Sequence, residues 1–316
     1  MEKALEFLKS KDNFLILTHI NPDGDALGSA FSLAAGLKLL GKNATAAMLA
    51  PIPFKYDFRE YNNLYMKFNQ LNLDDFKNAV SVDCATLNRL GDAKEFYKNK
   101  YSLNIDHHIT NEEYGKINYI EDCAATGEII YSLLSELGVR FDKAVRLGIY
   151  TAIATDTGNL TFSNTTARSF NICAKMVDEG LNIPYAAGRI FNTRSLGATK
   201  LIAAYINKMS LYDDEKVSVS ALSLKEIEDC GAKAEDCETL INYGKDIETV
   251  EVAVFIREIK ENSYKVSMRS KYYVDVAEIA GNFGGGGHVR AAGCLINDEF
   301  KAVKRMILDA VGAYIR

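Results

Sequence analysis

Short apolar runs alternate with longer segments of helical periodicity in the first half of the chain. The runs that predict strands are residues 14–18, 44–49, 79–82 and 102–105. The segments that predict helices are residues 26–40, 125–137, 143–155 and 166–179. Short buried strands separated by helices are typical of a parallel α/β sheet. The pattern therefore predicts an α/β fold for this half, with helices on both faces of a parallel sheet.

Strand patterns dominate the second half, which begins after Pro184. Residues 216–222, 249–259 and 264–269 predict strands, and the last two are close enough to pair as a hairpin across residues 260–263. Helices are predicted at 196–209 and 300–314. We therefore expect a first domain at 1–185, a linker at 186–199 and a second, smaller α/β domain with a mixed sheet at 200–316.

Composition narrows the range of partners. The chain of 316 residues is 48% hydrophobic and carries a net charge of −5, so it lacks the basic excess that binding to a long nucleic acid demands. No apolar run approaches the ~20 residues of a membrane span, and the N-terminus does not resemble a secretory signal. The six cysteines are scattered without a Cys-x-x-Cys pair, which is typical of reduced thiols in the cytoplasm. We expect a cytoplasmic protein without membrane contact, and we expect any phosphate ligand to be small.

All four histidines stand beside aspartates or glycines. His19 opens the run His-Ile-Asn-Pro-Asp-Gly-Asp, His107 and His108 follow Asp106, and His288 follows four glycines. A single histidine in such a place is usually structural, but four of four indicate chemistry, because imidazole is a common metal ligand that titrates near neutrality.

Acidic groups follow the same strands. Asp83 and Asp106 come directly after apolar runs, as His19 does, and the carboxyl ends of parallel strands share one edge of a sheet. The candidates for one cleft are Asp23, Asp25, Asp83, Asp106, Asp156 and the first three histidines. Crowded carboxylates repel one another unless cations intervene, and a ligand set of imidazoles and carboxylates suits manganese, iron, cobalt or zinc. Four carboxylates balance two divalent ions, so the sequence predicts a binuclear site.

The order of these groups resembles the DHH phosphoesterase superfamily. The resemblance rests on His19-Ile-Asn-Pro-Asp-Gly-Asp25, Val82-Asp83, Asp106-His-His108 and Thr155-Asp-Thr-Gly-Asn159, and covers about residues 14–162. It implies two divalent cations, Mn²⁺ foremost. One would be held by His19, Asp23 and Asp83, and the other by Asp25, Asp83, His107 and Asp156. It further implies that Asp106 orients an imidazole and that His108 faces the scissile phosphate or protonates the leaving group.

The second half resembles the associated DHHA1 substrate domain, through the run around Arg269 and the run from Gly284 to Gly293. Successive glycines let backbone amides approach an anion closely, and an arginine can add a bidentate phosphate contact. The predicted substrate-binding residues are Arg269, Ser270, Gly286, Gly287 and His288. Tyr272, Tyr273 and Phe283 lie near them, and whether they stack on bases or belong to the core stays open.

The predicted pair of domains, with no obvious additional nucleic-acid-binding domain, is similar to the arrangement in the nanoRNases of this superfamily. Those enzymes also remove the 3′-phosphate of 3′-phosphoadenosine-5′-phosphate (pAp). The expected substrates are very short 5′-phosphorylated oligoribonucleotides such as pApA and pGpG, together with pAp. A cyclic di-AMP phosphodiesterase of the same superfamily is the alternative, and a non-catalytic nucleotide-binding regulator is a distant third. The oligomeric state stays open, with a homodimer among the alternatives.

Overall fold

Six parallel strands form the central sheet of the first of two units, which the computed structural model divides between Thr193 and Arg194. The structure describes residues 1–315. The strands are β1 (Phe14–Leu17), β2 (Ala44–Met48), β3 (Tyr65–Lys67), β4 (Asn78–Val82), β5 (Tyr101–Asp106) and β6 (Ile117–Ile120). Their spatial order is β3-β2-β1-β4-β5-β6. The predicted parallel sheet is confirmed, and it gains two short edge strands, β3 and β6, that the apolar pattern did not indicate.

Helices cover both faces of this sheet. They are α1 (Glu2–Ser10), α2 (Gly24–Leu39), α3 (Lys94–Lys98), α4 (Thr126–Glu136), α5 (Lys143–Asp156), α6 (Ala167–Asp178) and α7 (Ile183–Phe191). On one face Ile16 and Val80 pack in a large core with residues of α2, α4 and α5. On the other face Leu15 and Ala79 pack against α3 and the 3-10 segment Leu87–Ala93. Alternate residues of each strand are thus buried on opposite faces, as expected of a parallel sheet.

Two glycines let α2 and α5 cross at close range. A Cβ atom added at Gly28 would lie 2.4 Å from the carbonyl oxygen of Gly148, and one added at Gly148 would lie 2.7 Å from the carbonyl oxygen of Gly28. Neither position can therefore accept a larger side chain without separating the helices. The contact holds the N-terminal half of α2 against the middle of α5.

The chain reverses its direction of winding between β1 and β4. Strands β2 and β3 extend the sheet on one side of β1, while β5 and β6 extend it on the other side of β4. A parallel sheet opens a crevice at the carboxyl ends of the two strands where the order reverses, and ligands bind there. His19 follows β1 and Asp83 follows β4, so both lie at this point of the sheet.

The second unit is built on a mixed sheet, as predicted. Its strands are β7 (Ser210–Tyr212), β8 (Val217–Leu222), β9 (Val252–Lys260), β10 (Ser263–Ser270), β11 (Gly286–His288) and β12 (Ala291–Asn297), in the order β11-β12-β10-β9-β8-β7. Strands β8 and β9 are parallel and the other neighbours antiparallel. The expected hairpin is confirmed as β9–β10.

Helices pack on this sheet unevenly. They are α8 (Leu196–Asn207), α9 (Leu224–Asp229), α10 (Ile241–Lys245), α11 (Val276–Gly281) and α12 (Phe300–Gly312). Val266 and Met268 of β10 face a core formed with α11 and α12. The opposite face is covered over β8 and β9 by Leu201, Tyr205 and other residues of α8 to α10.

The division of the chain lies inside the segment predicted as a linker. Residues 186–191 complete α7, which packs with the first unit, and residues 196–199 begin α8. Pro184, taken from the sequence as the start of the second half, lies in the first turn of α7, where a proline is tolerated because its missing N–H would be unpaired. Across residues 1–315, no helix has the length and apolar character to cross a membrane.

Candidate functional site

Eight side chains from separate strands and helices meet at the carboxyl edge of the parallel sheet. We call them the metal cluster: His19, Asp23, Asp25, Asp83, Asp106, His107, His108 and Asp156. They form three overlapping groups whose potential ligand atoms lie within 4.8 Å of one another. One group contains His19, Asp23 and Asp83, a second contains Asp25, His107 and Asp156, and a third joins Asp83 to Asp106, His107 and His108. The structure thus brings together every residue that the sequence assigned to this cleft.

Asp83 lies at the centre of the metal cluster. Its Oδ2 is 3.9 Å from Nε2 of His19, and its Oδ1 is 3.6 Å from Nε2 of His107. The side chain is buried, and Oδ1 accepts a hydrogen bond from the hydroxyl of Thr126 at 3.2 Å. Its backbone has a φ of 53°, a left-handed conformation that aspartate and asparagine adopt more readily than most residues. This turn directs the carboxylate to both imidazoles.

Asp25 is held by the first turn of α4. Its Oδ2 accepts from the backbone N–H of Thr126 at 2.7 Å, and its Oδ1 accepts from the N–H of Gly127 and the hydroxyl of Ser29, both at 3.0 Å. A helix N-terminus presents unpaired N–H groups and a positive dipole, so it stabilises a carboxylate. Burial nevertheless dominates and raises the pKa of Asp25 to about 6.

His107 points one ring nitrogen into the cluster. Its Nδ1 lies 3.1 Å from the carbonyl oxygen of Cys123, a pairing that places the proton on Nδ1. Nε2 then presents its lone pair to three carboxylates, at 3.9 Å from Asp25, 3.6 Å from Asp83 and 3.4 Å from Asp156. A lone pair that faces carboxylate oxygens has no attractive partner until a proton or a metal ion lies between them, so Nε2 is placed where it could ligate a metal.

Asp23 and Asp156 complete the cluster from helix ends. Asp23 caps α2 by accepting from the N–H of Ala26 at 3.1 Å, and Asp156 is the last residue of α5. Gly24 lets these ends approach, because an added Cβ atom would lie 2.4 Å from the side chain of Thr155. Burial, and then the charge of Asp25, raise the pKa of Asp156 to about 8.

The charge balance of the metal cluster fits divalent cations. Burial raises the pKa of Asp83 well above its usual value, and the neighbouring carboxylates raise it further. Among residues 1–315, no lysine or arginine forms an ion pair with any of the five aspartates. His19 is 4% exposed, and its Nδ1 has no hydrogen-bond partner in the described chain. A buried set of carboxylates and imidazoles with unused lone pairs is the ligand chemistry of manganese, iron, cobalt or zinc.

Asp106 has little lone-pair capacity left for a cation. Its Oδ1 accepts from the N–H of His107 at 2.9 Å and lies 2.8 Å from Nδ1 of His108, while its Oδ2 accepts from the side-chain amide of Asn111 at 2.5 Å. Although burial raises the pKa of Asp106, these hydrogen bonds bring it below the usual carboxyl value. The ring of His108 is partly exposed and its Nδ1 is engaged, which leaves Nε2 available to a ligand.

Several residues of the site escaped the sequence analysis. Ser29, Thr126 and Gly127 hold Asp25, and Asn111 holds Asp106. Ser29 stands one helical turn after Asp25, a spacing that predicts a contact. The first residues of a predicted helix are candidates to bind a carboxylate, but nothing in the sequence tells which carboxylate reaches them.

In the second unit Arg269 and His288 lie on one face of the sheet. Arg269 of β10 pairs with Ala291 of β12, and Ala291 pairs with His288 of β11. Paired residues of neighbouring strands project to the same side, so a small alanine separates the two side chains by roughly 10 Å between strands. We call this surface, with Gly286 and Gly287, the open face. Arg269 is half-buried, and burial lowers the pKa of its guanidinium.

Two expectations for this region need revision. Ser270 is buried and donates to the carbonyl oxygen of Val274 at 2.6 Å, so its hydroxyl holds a loop. Gly286 and Gly287 belong to edge strand β11 and are paired with β12, so part of the backbone that the glycine run was expected to offer to an anion is used within the sheet. An edge strand keeps one row of N–H and C=O groups unpaired, so backbone donors remain at this position.

Two family models match the chain. The model of the DHH family, N-terminal domain, matches residues 13–155, and the model of the DHHA1 domain matches residues 212–316. The first range contains all of the metal cluster except Asp156, and the second contains all of the open face.

Proteins with assigned names match along the whole length. A bifunctional oligoribonuclease and PAP phosphatase from Thermus thermophilus is 31% identical, over 98% of this chain and 93% of its own. A protein of the same name from Bacillus subtilis is 26% identical, over 90% of each. The solved structure of an exopolyphosphatase-related protein from Bacteroides fragilis superimposes with a TM-score of 0.90 at 21% identity, over 99% of this chain and 95% of that one, which shows a common fold.

Proposed function

The chain belongs to the DHH family and carries a DHHA1 domain, and from this membership we propose a phosphoesterase that acts on very short 5′-phosphorylated oligoribonucleotides. The products are mononucleotides, and pAp is a second substrate that yields AMP. Relatives over the whole length are bifunctional oligoribonucleases and PAP phosphatases. The observation that carries the proposal is the convergence of three groups of carboxylates and imidazoles at the carboxyl edge of the sheet, two of which share Asp83.

Two divalent cations, with Mn²⁺ foremost, fit the metal cluster. His19, Asp23 and Asp83 would hold one, and Asp25, Asp83, His107 and Asp156 the other. The ligand atoms of the first set lie within 4.8 Å of one another, and so do those of Asp25, His107 and Asp156. Asp83 approaches an imidazole of each set, His19 at 3.9 Å and His107 at 3.6 Å. When bound, such a pair of ions makes a water molecule acidic enough to attack at neutral pH and offsets the charge on the phosphoryl oxygens.

His108 and Asp106 act on the leaving group. The carboxylate of Asp106 fixes Nδ1 of His108 and thereby the orientation of the ring. Nε2 is then free to hold a proton and give it to the O3′ atom as the P–O3′ bond breaks, which is general acid catalysis by a positioned imidazole. Asn111 supports the pair by donating to the second oxygen of Asp106.

The open face binds the 5′-phosphate. Arg269 offers a guanidinium, His288 an exposed imidazole, and Gly286 and Gly287 the exposed backbone of an edge strand. Arginine pairs with phosphate through two parallel hydrogen bonds, so it fixes position as well as charge. Ser270 contributes indirectly, since its hydroxyl is used within the domain.

One chemistry accounts for both substrates. pApA and pAp each carry a 5′-phosphate and a second phosphorus on the O3′ atom of the same nucleotide. Addition of water across that P–O3′ bond turns pApA into two molecules of AMP, and turns pAp into AMP and phosphate. We infer a cytoplasmic site of action, because the six cysteines are unpaired thiols.

A panel of substrates tests the proposal. Purified protein with Mn²⁺ is incubated with pApA, pGpG, pAp, cyclic di-AMP and pyrophosphate, and products are separated by chromatography. We expect hydrolysis of the linear dinucleotides and pAp, and its loss with EDTA. Hydrolysis of pyrophosphate with pApA and pAp left intact would refute the assignment. Preferential hydrolysis of cyclic di-AMP would assign the protein to the cyclic-dinucleotide phosphodiesterases of the same superfamily.

A further inference from the structure

A loop of the second unit exposes an aromatic ring just after β10, the strand that carries Arg269. Residues 271–274, which we call the tyrosine loop, follow β10 directly. The side chain of Tyr272 is 73% exposed, a large apolar surface to leave in water. Among residues 1–315, its ring and hydroxyl make no hydrogen bond, ring contact or ion pair. Phe283, by contrast, packs on the core of the unit.

The backbone of the tyrosine loop is fixed by a buried carboxylate. Glu251 is 4% exposed, and its Oε1 accepts from the backbone N–H groups of Tyr272 at 3.1 Å, Tyr273 at 2.8 Å and Val274 at 2.9 Å. Its own carbonyl oxygen accepts from the N–H of Lys271 at 3.0 Å. Four consecutive N–H groups are therefore satisfied by one residue, which holds the loop in a single conformation.

An arginine fixes the same loop from the other side. Arg290 donates from Nη1 to the carbonyl oxygen of Val274 at 2.8 Å and from Nη2 to the carbonyl oxygen of Tyr272. Its guanidinium is thereby engaged within the domain. With Glu251, it rigidifies a loop whose most exposed side chain, Tyr272, makes no hydrogen bond, ring contact or ion pair within residues 1–315. A rigid loop that displays a solvated aromatic ring is pre-organised to bind a flat ligand.

The tyrosine loop lies at the end of the sheet that carries Arg269 and His288. The N–H of Ser270 donates to the carbonyl oxygen of Arg290 at 3.2 Å, and the N–H of Val276 donates to that of Val289 at 3.0 Å. Both bonds tie the loop to the turn that follows His288. Tyr272 is three residues beyond Arg269, which places their Cα atoms within about 10 Å.

We propose that Tyr272 stacks on the base of the nucleotide whose 5′-phosphate is bound by the open face. The inference rests on the proposed function and names the subsite that recognises the first nucleotide of the substrate. A purine offers a larger π-face than a pyrimidine, and stacking on an aromatic side chain accepts every base. The subsite therefore favours purine over pyrimidine at the 5′ nucleotide without demanding either.

Truncation of the ring tests the stacking role. Tyr272→Ala should raise the KM for pApA roughly tenfold, the lower part of the range for the loss of one stacked base, with kcat unchanged. The same variant should leave unchanged the KM for a dinucleotide whose 5′ nucleotide lacks its base. Tyr272→Phe keeps the π-face and should resemble the wild type. Phe170→Ala, which truncates an exposed ring of α6, serves as the control.

A binding titration separates this inference from the proposed function. Metal-free protein is titrated with AMP and with ribose 5-phosphate, which share the phosphate and differ by the base. We expect Tyr272→Ala to weaken AMP binding roughly tenfold and to leave ribose 5-phosphate binding unchanged. Equal affinities of wild type and Tyr272→Ala for AMP would overturn the stacking role. If the wild type leaves pApA intact but binds AMP through Tyr272, the proposed reaction fails and the subsite stands.

Discussion

The metal cluster is buried and crowded with like charges, whereas the open face is exposed to solvent and carries few polar groups. In the cluster, burial raises the pKa values of Asp25 and Asp156 to about 6 and about 8. On the open face, burial acts on one group, the guanidinium of Arg269, and lowers its pKa. Without a ligand, the cluster costs folding free energy, because ionised carboxylates are held close together out of water. The open face carries no comparable repulsion.

The difference indicates separate roles for the two regions. A site that must activate water and offset charge on a phosphoryl group needs charges fixed in a low dielectric, even at the expense of stability. A site that recognises a terminal phosphate needs a positive group in reach of solvent, together with a rigid support. Mutations in the cluster should therefore change turnover and stability in opposite directions, while mutations on the open face should change substrate affinity.

The largest expected effect is that of Asp83→Asn. Asparagine adopts the left-handed conformation of this position readily, so the backbone should be preserved. Loss of the carboxylate that approaches both His19 and His107 should reduce Mn²⁺-dependent turnover of pApA about a thousandfold.

The same substitution should stabilise the metal-free protein. Because the folded-state pKa of Asp83 is raised, its ionised form costs stability at every pH above the unfolded value of about 4. Removal of the charge should increase the free energy of unfolding at pH 7 by about 1–3 kcal/mol, measured by urea denaturation with EDTA. A variant that loses both activity and stability would contradict the account of repelling carboxylates.

Arg269→Ala should have a smaller and more selective effect. The loss of a charged hydrogen bond to phosphate should raise the KM for pApA and pAp about tenfold to a hundredfold. Hydrolysis of ApA, which lacks the 5′-phosphate, should be unchanged, and so should the thermal midpoint. Arg305→Ala removes an exposed arginine of α12 and serves as the control. An equal loss on ApA would exclude the anchor role.

The smallest effect is expected for substitutions at two adjacent glycines of β11, Gly286 and Gly287, which serve as a matched pair. Gly287 has a φ of 151°, and an added Cβ atom would lie 2.4 Å from the carbonyl oxygen of Ala291, whereas one added at Gly286 meets no atom within 4 Å. Gly287→Ala should therefore destabilise the β11–β12 pair by about 1–3 kcal/mol, and Gly286→Ala by less than about 0.5 kcal/mol. Hydrogen exchange of the β12 amides measures the difference. Equal protection in both variants would show that the edge strand tolerates a side chain at either position.

The sequence predicts the long strands and helices and the candidate metal ligands better than it predicts the groups that hold those ligands in place. Strands β1, β4 and β5 are almost entirely buried, and their apolar residues therefore produce a clear pattern. Strands β3 and β6 are short edge strands whose residues are only partly buried, so no apolar pattern marks them. Helix α7 was missed because Pro184 was interpreted as a break, although the first turn of a helix accepts proline.

In the metal cluster the order of motifs along the chain was sufficient to assemble eight residues. The groups that orient these eight residues could not be predicted from the sequence, because their roles depend on long-range contacts. The hydroxyl of Thr126 reaches Asp83, and the carbonyl oxygen of Cys123 fixes His107. On the open face the glycine run gives no strand pattern, because glycine is weakly compatible with strands and its pairing with β12 depends on the partner strand.

The number of metal ions that the protein binds tests the central claim most directly. Metal-free wild-type protein is titrated with Mn²⁺ by isothermal titration calorimetry at about pH 7.5, close to the neutral pH at which general acids and bases act in enzymes. The account predicts two Mn²⁺ ions for each chain, and release of protons from the aspartates as the ions bind. Binding of no Mn²⁺, or of a single ion with full turnover of pApA, would contradict a two-metal site built around Asp83.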